Sequence, residues 1–104
     1  MGKPALTLHR LELFLAVLDE GGVGRAAKAR NISQPAVSEH LQGLGAHFGV
    51  QLLERHGRSV RPTPAARLLE PYARQAVGLL RGAERAAADL QGLRSGAQIG
   101  RAHV

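Results

Sequence analysis

The 104-residue chain contains no cysteine, no tryptophan and only three aromatic residues, Phe14, Phe48 and Tyr72. Without thiols there can be no disulfides and no thiolate metal sites, a pattern that fits a reducing cytoplasm. So few aromatics leave an aliphatic core of modest size, in keeping with one small domain plus an extension. Apolar runs are short: none approaches the ~20 residues of a membrane span, and residues 1–8 show no secretory signal. Acids are scarce too. Eight Asp and Glu stand against fourteen Lys and Arg, a formal net charge of +6 that favours a polyanionic partner.

The residues needed for catalysis are also missing. His40 and His47 share a helix face, but two turns apart is too far for one ion, and no carboxylate or cysteine completes a set at ligand spacing. There is no phosphate-cradling glycine loop and no Ser-His-Asp set with a pocket to sit in. No catalytic residue, metal ligand or cofactor is expected.

The positive charge is unevenly spread. Residues 1–32 carry +2 (five bases against three acids), residues 33–53 carry −1 from Glu39 alone, residues 54–67 carry +3 (Arg55, Arg58, Arg61 and Arg67 against Glu54), and the remainder +2. Such a division suits a nearly neutral segment that reads bases beside a basic one that holds phosphates. The plainer reading of the basic run is a solvated face.

The neutral segment carries the strongest local pattern. Residues 26–44 read as a short helix, a tight turn and a second helix. Ser33 is a good N-cap, and Pro35 falls in the first turn, where a missing donor costs little. Ala36, Val37, Leu41, Leu44 and Phe48 then recur mostly at spacings of three and four, one buried stripe. Gln34, Ser38 and Gln42 step by four along the remaining surface, short hydroxyls and amides of the kind that read base edges in a major groove. The helix before it, about residues 23–30, offers Ala26 and Ala27 for close packing. Asn31 tolerates the left-handed turn and Ile32 supplies an apolar plug behind it. Together these make a helix-turn-helix; an ordinary αα-corner is the alternative.

Around this pair the chain falls into simple pieces. Residues 8–20 form a core helix, with Leu8, Leu11, Phe14, Leu15, Val17 and Leu18 at helical spacing after a Thr7 cap and before Gly21-Gly22. Gly49 ends the second helix of the pair. Gly43 and Gly45 each weaken its second half by about 1 kcal/mol, so that half must lean on tertiary packing. Residues 51–55 and 59–61 flank His56-Gly57-Arg58 as two short strands, a wing whose tip presents Arg58, or else a hairpin that only covers the core. Thr63-Pro64 opens a long helix. Along it Leu69, Ala73, Ala76, Leu80, Ala83, Ala87 and Leu90 form a heptad seam suited to a second copy, the alternative being contact with the first helix. Pro71 bends that helix or marks its effective start.

Arg25-Ala26-Ala27, the string Ile32-Ser33-Gln34-Pro35-Ala36-Val37-Ser38, Leu44, Phe48-Gly49-Val50, Leu53-Glu54-Arg55 and Thr63 together resemble the N-terminal region of LysR-type transcriptional regulators. The match covers about residues 8–93. The resemblance implies a mainly α fold with a small β-hairpin: a winged helix-turn-helix DNA-binding domain (residues 1–62) followed by a linker helix (63–93) that pairs antiparallel in a homodimer. It also implies sequence-specific binding of double-stranded DNA, at an interrupted inverted repeat, by a cytoplasmic bacterial regulator. In the family a larger effector-binding domain follows. Residues 94–104 read as its truncated start or a tail, so a small-molecule effector and the pairing of dimers into tetramers belong to an absent part. By the family pattern Gln34, Pro35 and Ser38 face the major groove, Ser33 approaches phosphate, the wing arginines Arg55, Arg58 and Arg61 grip the backbone, and Thr63 lies close to phosphate.

Four positions depart from that pattern. Glu39 stands where a basic residue is usual, which removes a phosphate or guanine contact; its carboxylate could accept from a cytosine amine instead. Arg30 replaces an apolar residue, although its stem can cover apolar surface. Gly45 replaces an acid and Ala66 a glycine. Two other functions stay open: a domain resembling molybdate-responsive regulators, and a dimerisation module whose helix-turn-helix reads nothing.

Overall fold

The structure, a computed structural model, describes residues 5–95; most of the segment 94–104, read above as the start of a further domain or a tail, lies outside them. The elements run α1 (Leu8–Glu20), α2 (Val23–Arg30), α3 (Gln34–Phe48), β1 (Leu53–His56), β2 (Ser59–Pro62) and α4 (Pro64–Ser95). This is a winged helix-turn-helix with a long C-terminal helix. Among the described residues, no helix is long and apolar enough to cross a membrane.

Each helix of the first three is closed by local chemistry. The Thr7 hydroxyl accepts from the Arg10 N–H (3.1 Å) to cap α1, and Gly21 ends it at φ 86°. Asn31 ends α2 in the left-handed region at φ 59°, while Asn31 and Ile32 donate to the Lys28 and Ala27 carbonyls at 3.2 and 3.0 Å. That pair of bonds is a Schellman closure, which satisfies carbonyls the helix end would leave free. Gly49 and Val50 repeat it on α3, donating to Ala46 (3.2 Å) and Gly45 (2.9 Å).

The core is aliphatic around a single phenylalanine. Leu11, Leu13, Phe14, Leu15, Ala16 and Val17 of α1 are all buried, so this helix is enclosed on nearly every side rather than along one stripe. Ala26 and Ala27 of α2 and Val37, Leu41 and Leu44 of α3 meet it, joined by Leu52, Ala66 and Ala73. Phe48 does not belong to this core. It is 43% exposed, with its ring edge-on to His47 at 4.9 Å, because the Gly49 cap ends α3 there and the last turn projects past the body. Arg30 is exposed at the end of α2, so its charge meets no packing conflict.

Gly45 is buried because the chain folds back over it: a Cβ there would lie 2.5 Å from the Val50 carbonyl oxygen. The glycine that weakens α3 as a helix is thus what lets the following loop close down. Over Gly43 lies the Arg10 guanidinium, whose Nε donates to His40 Nδ1 (3.2 Å) and whose Nη1 donates to the Ala5 carbonyl (3.0 Å).

β1 and β2 pair antiparallel with Arg55 opposite Val60 and Glu54 opposite Arg61. The two-residue turn is Gly57-Arg58. Gly57 has φ 61° and Arg58 has no positive φ, which suits a hairpin turn with glycine first. α4 starts at Pro64, seven residues before Pro71, and runs on through it. The described residues fall into two units, divided after Arg74.

Candidate nucleic-acid interface

α3 and the wing supply one continuous surface within the first unit. Ser33 caps α3, its Oγ accepting from the Ala36 N–H at 3.2 Å, which leaves its own O–H free to donate outward. Gln34, Pro35, Glu39 and Gln42 are exposed and Ser38 is half-buried. The Gln34 amide lies against α2 at Gly24, where a Cβ would come within 3.1 Å of Nε2; the glycine makes a seat for that side chain.

Between α3 and the wing runs a groove of about 440 Å³, into which Ser38 and Gln42 face from the helix and Arg55 and Val60 from the hairpin. Leu53, Arg55 and Val60 share the inner face of the hairpin, and Glu54 also borders the groove. Arg61 is on the other face, opposite Glu54, whose Oε2 also meets His56 Nε2 at 3.1 Å. Arg58 stands exposed at the tip. The structure thus brings Ser38, Gln42 and Arg55 together and holds Arg58 and Arg61 at separate places on the hairpin. Neither the groove nor the Gly24 seat was visible in the sequence, since both need tertiary neighbours.

Thr63 requires a correction. It is only 6% exposed, and its hydroxyl donates to the Gln51 carbonyl (2.6 Å) while accepting from the Ala66 N–H (3.1 Å). Its backbone N–H donates to the Leu52 carbonyl at 3.0 Å. With its one proton and an oxygen lone pair used internally, Thr63 caps α4 and ties it to the loop before the wing, and its hydroxyl has no proton left for phosphate.

The expected seam on α4 is also divided. In the first unit Ala73 is buried and Leu69 half-buried, so Ala73 is packed within its own domain and offers little surface to a second copy. In the second unit Ala76 is half-buried, and Leu80, Ala83, Ala87 and Leu90 are exposed. Leu79 and Leu93, 76% and 79% exposed, were missed by the sequence reading. With Ala76, Ala83, Ala86 and Leu90 they alternate at steps of three and four, so an equally regular seam lies one position round the helix.

An ion-pair cluster joins α1 and the start of α4 within the first unit. Arg74 donates to Asp19 Oδ1 (2.6 Å) and to Glu70 Oε2 (2.9 Å). Hydrogen bonding from Arg74 holds both carboxyls below their ordinary range and raises the guanidinium in turn. These groups are exposed, and their role is to fasten the start of α4 to the end of α1. Among the described residues no group of three or more His, Asp or Glu is placed to hold a metal ion.

Known proteins share this arrangement. The sequence profile described as the bacterial regulatory helix-turn-helix protein, lysR family, matches residues 8–67. A probable RuBisCO transcriptional regulator from Synechocystis sp. is 39% identical over 93 residues, covering 89% of this chain and 27% of the relative. The chain therefore spans about a quarter of the length of such relatives. Among solved structures, that of a CbnR_DBD–DNA complex superposes with a TM-score of 0.71 at 34% identity, over 82% of this chain and 99% of that one. A BenM_DBD/catB site 1 DNA complex gives a TM-score of 0.69 at 32% identity, over 89% and 97%. The expectation of a molybdate-type domain is set aside by these matches. Profile, relatives and fold agree with the cap, turn and wing described above, and the chain belongs to the LysR family of bacterial regulatory helix-turn-helix proteins.

Proposed function

We propose that this chain is the DNA-binding region of a LysR-type transcriptional regulator and that it binds double-stranded DNA sequence-specifically as a homodimer. The observation that carries the reading is the exposed, hydroxyl-and-amide surface of α3 (Gln34, Ser38, Gln42) set beside an arginine-bearing hairpin. Uncharged polar groups in a major groove discriminate base edges, whereas guanidinium groups on the wing hold phosphates without regard to sequence. Ser33 donates to phosphate from the N-terminus of α3, where the helix dipole also favours an anion. Arg55, Arg58 and Arg61 hold the backbone from the hairpin. That CbnR_DBD and BenM_DBD have been solved with DNA supports the same use of the fold here.

Residues 1–62 then act as the reading domain and 63–93 as the linker that pairs two copies. The exposed apolar line of Leu79, Ala83, Ala86, Leu90 and Leu93, begun by the half-buried Ala76, supports that pairing, since a monomer leaves it in water. Twofold pairing makes the operator an interrupted inverted repeat. Any small-molecule effector and any tetramer act through the part of the relatives that this chain does not span, and work on bacterial promoters places the protein in the cytoplasm.

Selection from a random duplex pool, with enriched sites re-measured at two salt concentrations, tests the reading. Recovery of an inverted repeat bound well above random DNA is the expected result. A pool that enriches nothing, with weak and steeply salt-dependent binding, would refute base reading and leave a pairing module whose helix-turn-helix is scaffold.

A further inference from the structure

For a helix that meets a polyanion, α3 carries the wrong charge. Its fifteen residues include no Lys or Arg and one acid, Glu39. Glu39 is exposed and has no hydrogen-bond or ion-pair partner among the described residues, unlike Glu54, Glu70 and Asp19. Its position is central. At about 100° per residue it falls roughly 200° round from Val37 and ~160° from Leu41, opposite the buried line of α3. Its neighbours on α3 are Pro35, Gln42, Gly43 and Ala46, uncharged and mostly small, and the Arg10 guanidinium lies over Gly43.

A helix laid in a major groove turns its outer midline to the base edges and its flanks to the phosphates on either side. Glu39 lies on that midline, and a carboxylate is an acceptor only. Guanine presents acceptors at N7 and O6, and thymine an acceptor at O4 with a methyl group. Adenine offers its N6 amine beside the N7 acceptor, which repels the second carboxylate oxygen. Cytosine alone presents an N4 amine with no acceptor on the same base edge.

We propose that Glu39 is a specificity residue that accepts a hydrogen bond from the N4 amine of cytosine, so that each half-site carries a C·G pair at one fixed position. The inference rests on the reading of α3 as the helix that enters the major groove. Selection from one random duplex pool, run in parallel with the unaltered chain and with Glu39→Gln, tests it. The unaltered chain should show one position per half-site where cytosine is preferred by about 5- to 150-fold. Glu39→Gln should relax that position toward adenine, which an amide reads through N6 and N7, and leave the other positions as they were. The same variant should hold unselected DNA more tightly, because a repulsion from the phosphates is gone. A motif with the same base at every position for both proteins would overturn the role of Glu39 while leaving sequence-specific binding intact. A pool that gives the unaltered chain no motif at all would overturn both readings together.

Discussion

Replacing Thr63 by valine keeps the shape of the side chain and deletes its oxygen. Two bonds are lost, the 2.6 Å donation to the Gln51 carbonyl and the 3.1 Å cap on the Ala66 N–H. The cap contributes about 1 kcal/mol. The second bond adds about 1 kcal/mol net, and little more, because Gln51 is exposed and water can reach its carbonyl. Thr63→Val should therefore destabilise the fold by about 2 kcal/mol, lowering the thermal midpoint by roughly 10 °C for a domain of this size. Thr63→Ser keeps both bonds and loses one buried methyl, worth about 1 kcal/mol, so it should fall between the two. Thermal and urea unfolding followed by circular dichroism at one protein concentration measures the order. DNA affinity, taken well below the unfolding transition, should be the same for all three proteins. A valine variant as stable as the parent, yet weaker on DNA with a shallower salt dependence, would refute the structural role and return Thr63 to the phosphate backbone.

Three further substitutions probe other parts of the molecule. Gly45→Ala gains about 1 kcal/mol of helix propensity but sets a methyl against the Val50 backbone; overpacking against atoms that cannot rotate away costs about 1–3 kcal/mol. A net loss of about 1 kcal/mol should appear in urea unfolding, and a stabilised variant would show that the loop yields freely. Arg58→Ala should weaken binding to all sequences alike and flatten the slope of affinity against salt by about one ion, whereas an unchanged slope would remove the wing tip from the phosphates. Ala83→Glu buries a charge in any close helix pair and should shift the chain from dimer to monomer in sedimentation at micromolar concentration; a persisting dimer would mean that the pairing surface lies elsewhere.

What could be read from the sequence was whatever depends on residues within one helical turn. Ser33, Asn31, Thr7 and Gly49 each act on backbone groups at most four positions away, so their identities announce the caps and the turn. Period also sufficed for the alternation of the hairpin, although the turn proved to be two residues long. The failures share one cause. Phe48 continues the apolar spacing of α3 faithfully, but spacing cannot tell that the body of the domain stops a turn earlier. Thr63 was legible as the opening of α4 but not as a tie to the preceding loop, because its second partner, Gln51, lies twelve residues back.

The same limit governs α4, where apolar residues occupy three positions of each heptad and the line through Leu69, Ala76, Ala83 and Leu90 gives a regular seam with either of the other two. Which line a partner helix could use is decided by what the chain already covers. Ala73 is 6% exposed and Leu79 is 76% exposed, so the line through Ala73 starts inside the domain, and its Leu80, at 45%, is less exposed than Leu79 or Leu93. Burial of an apolar side chain is worth about 1.5–3 kcal/mol, and it can be gained only once. A leucine left in water still has that stabilisation to gain from a second copy, whereas an alanine packed in its own core has none left. By this reasoning Leu79 and Leu93, more than Ala73, should carry the pairing of the linker helix.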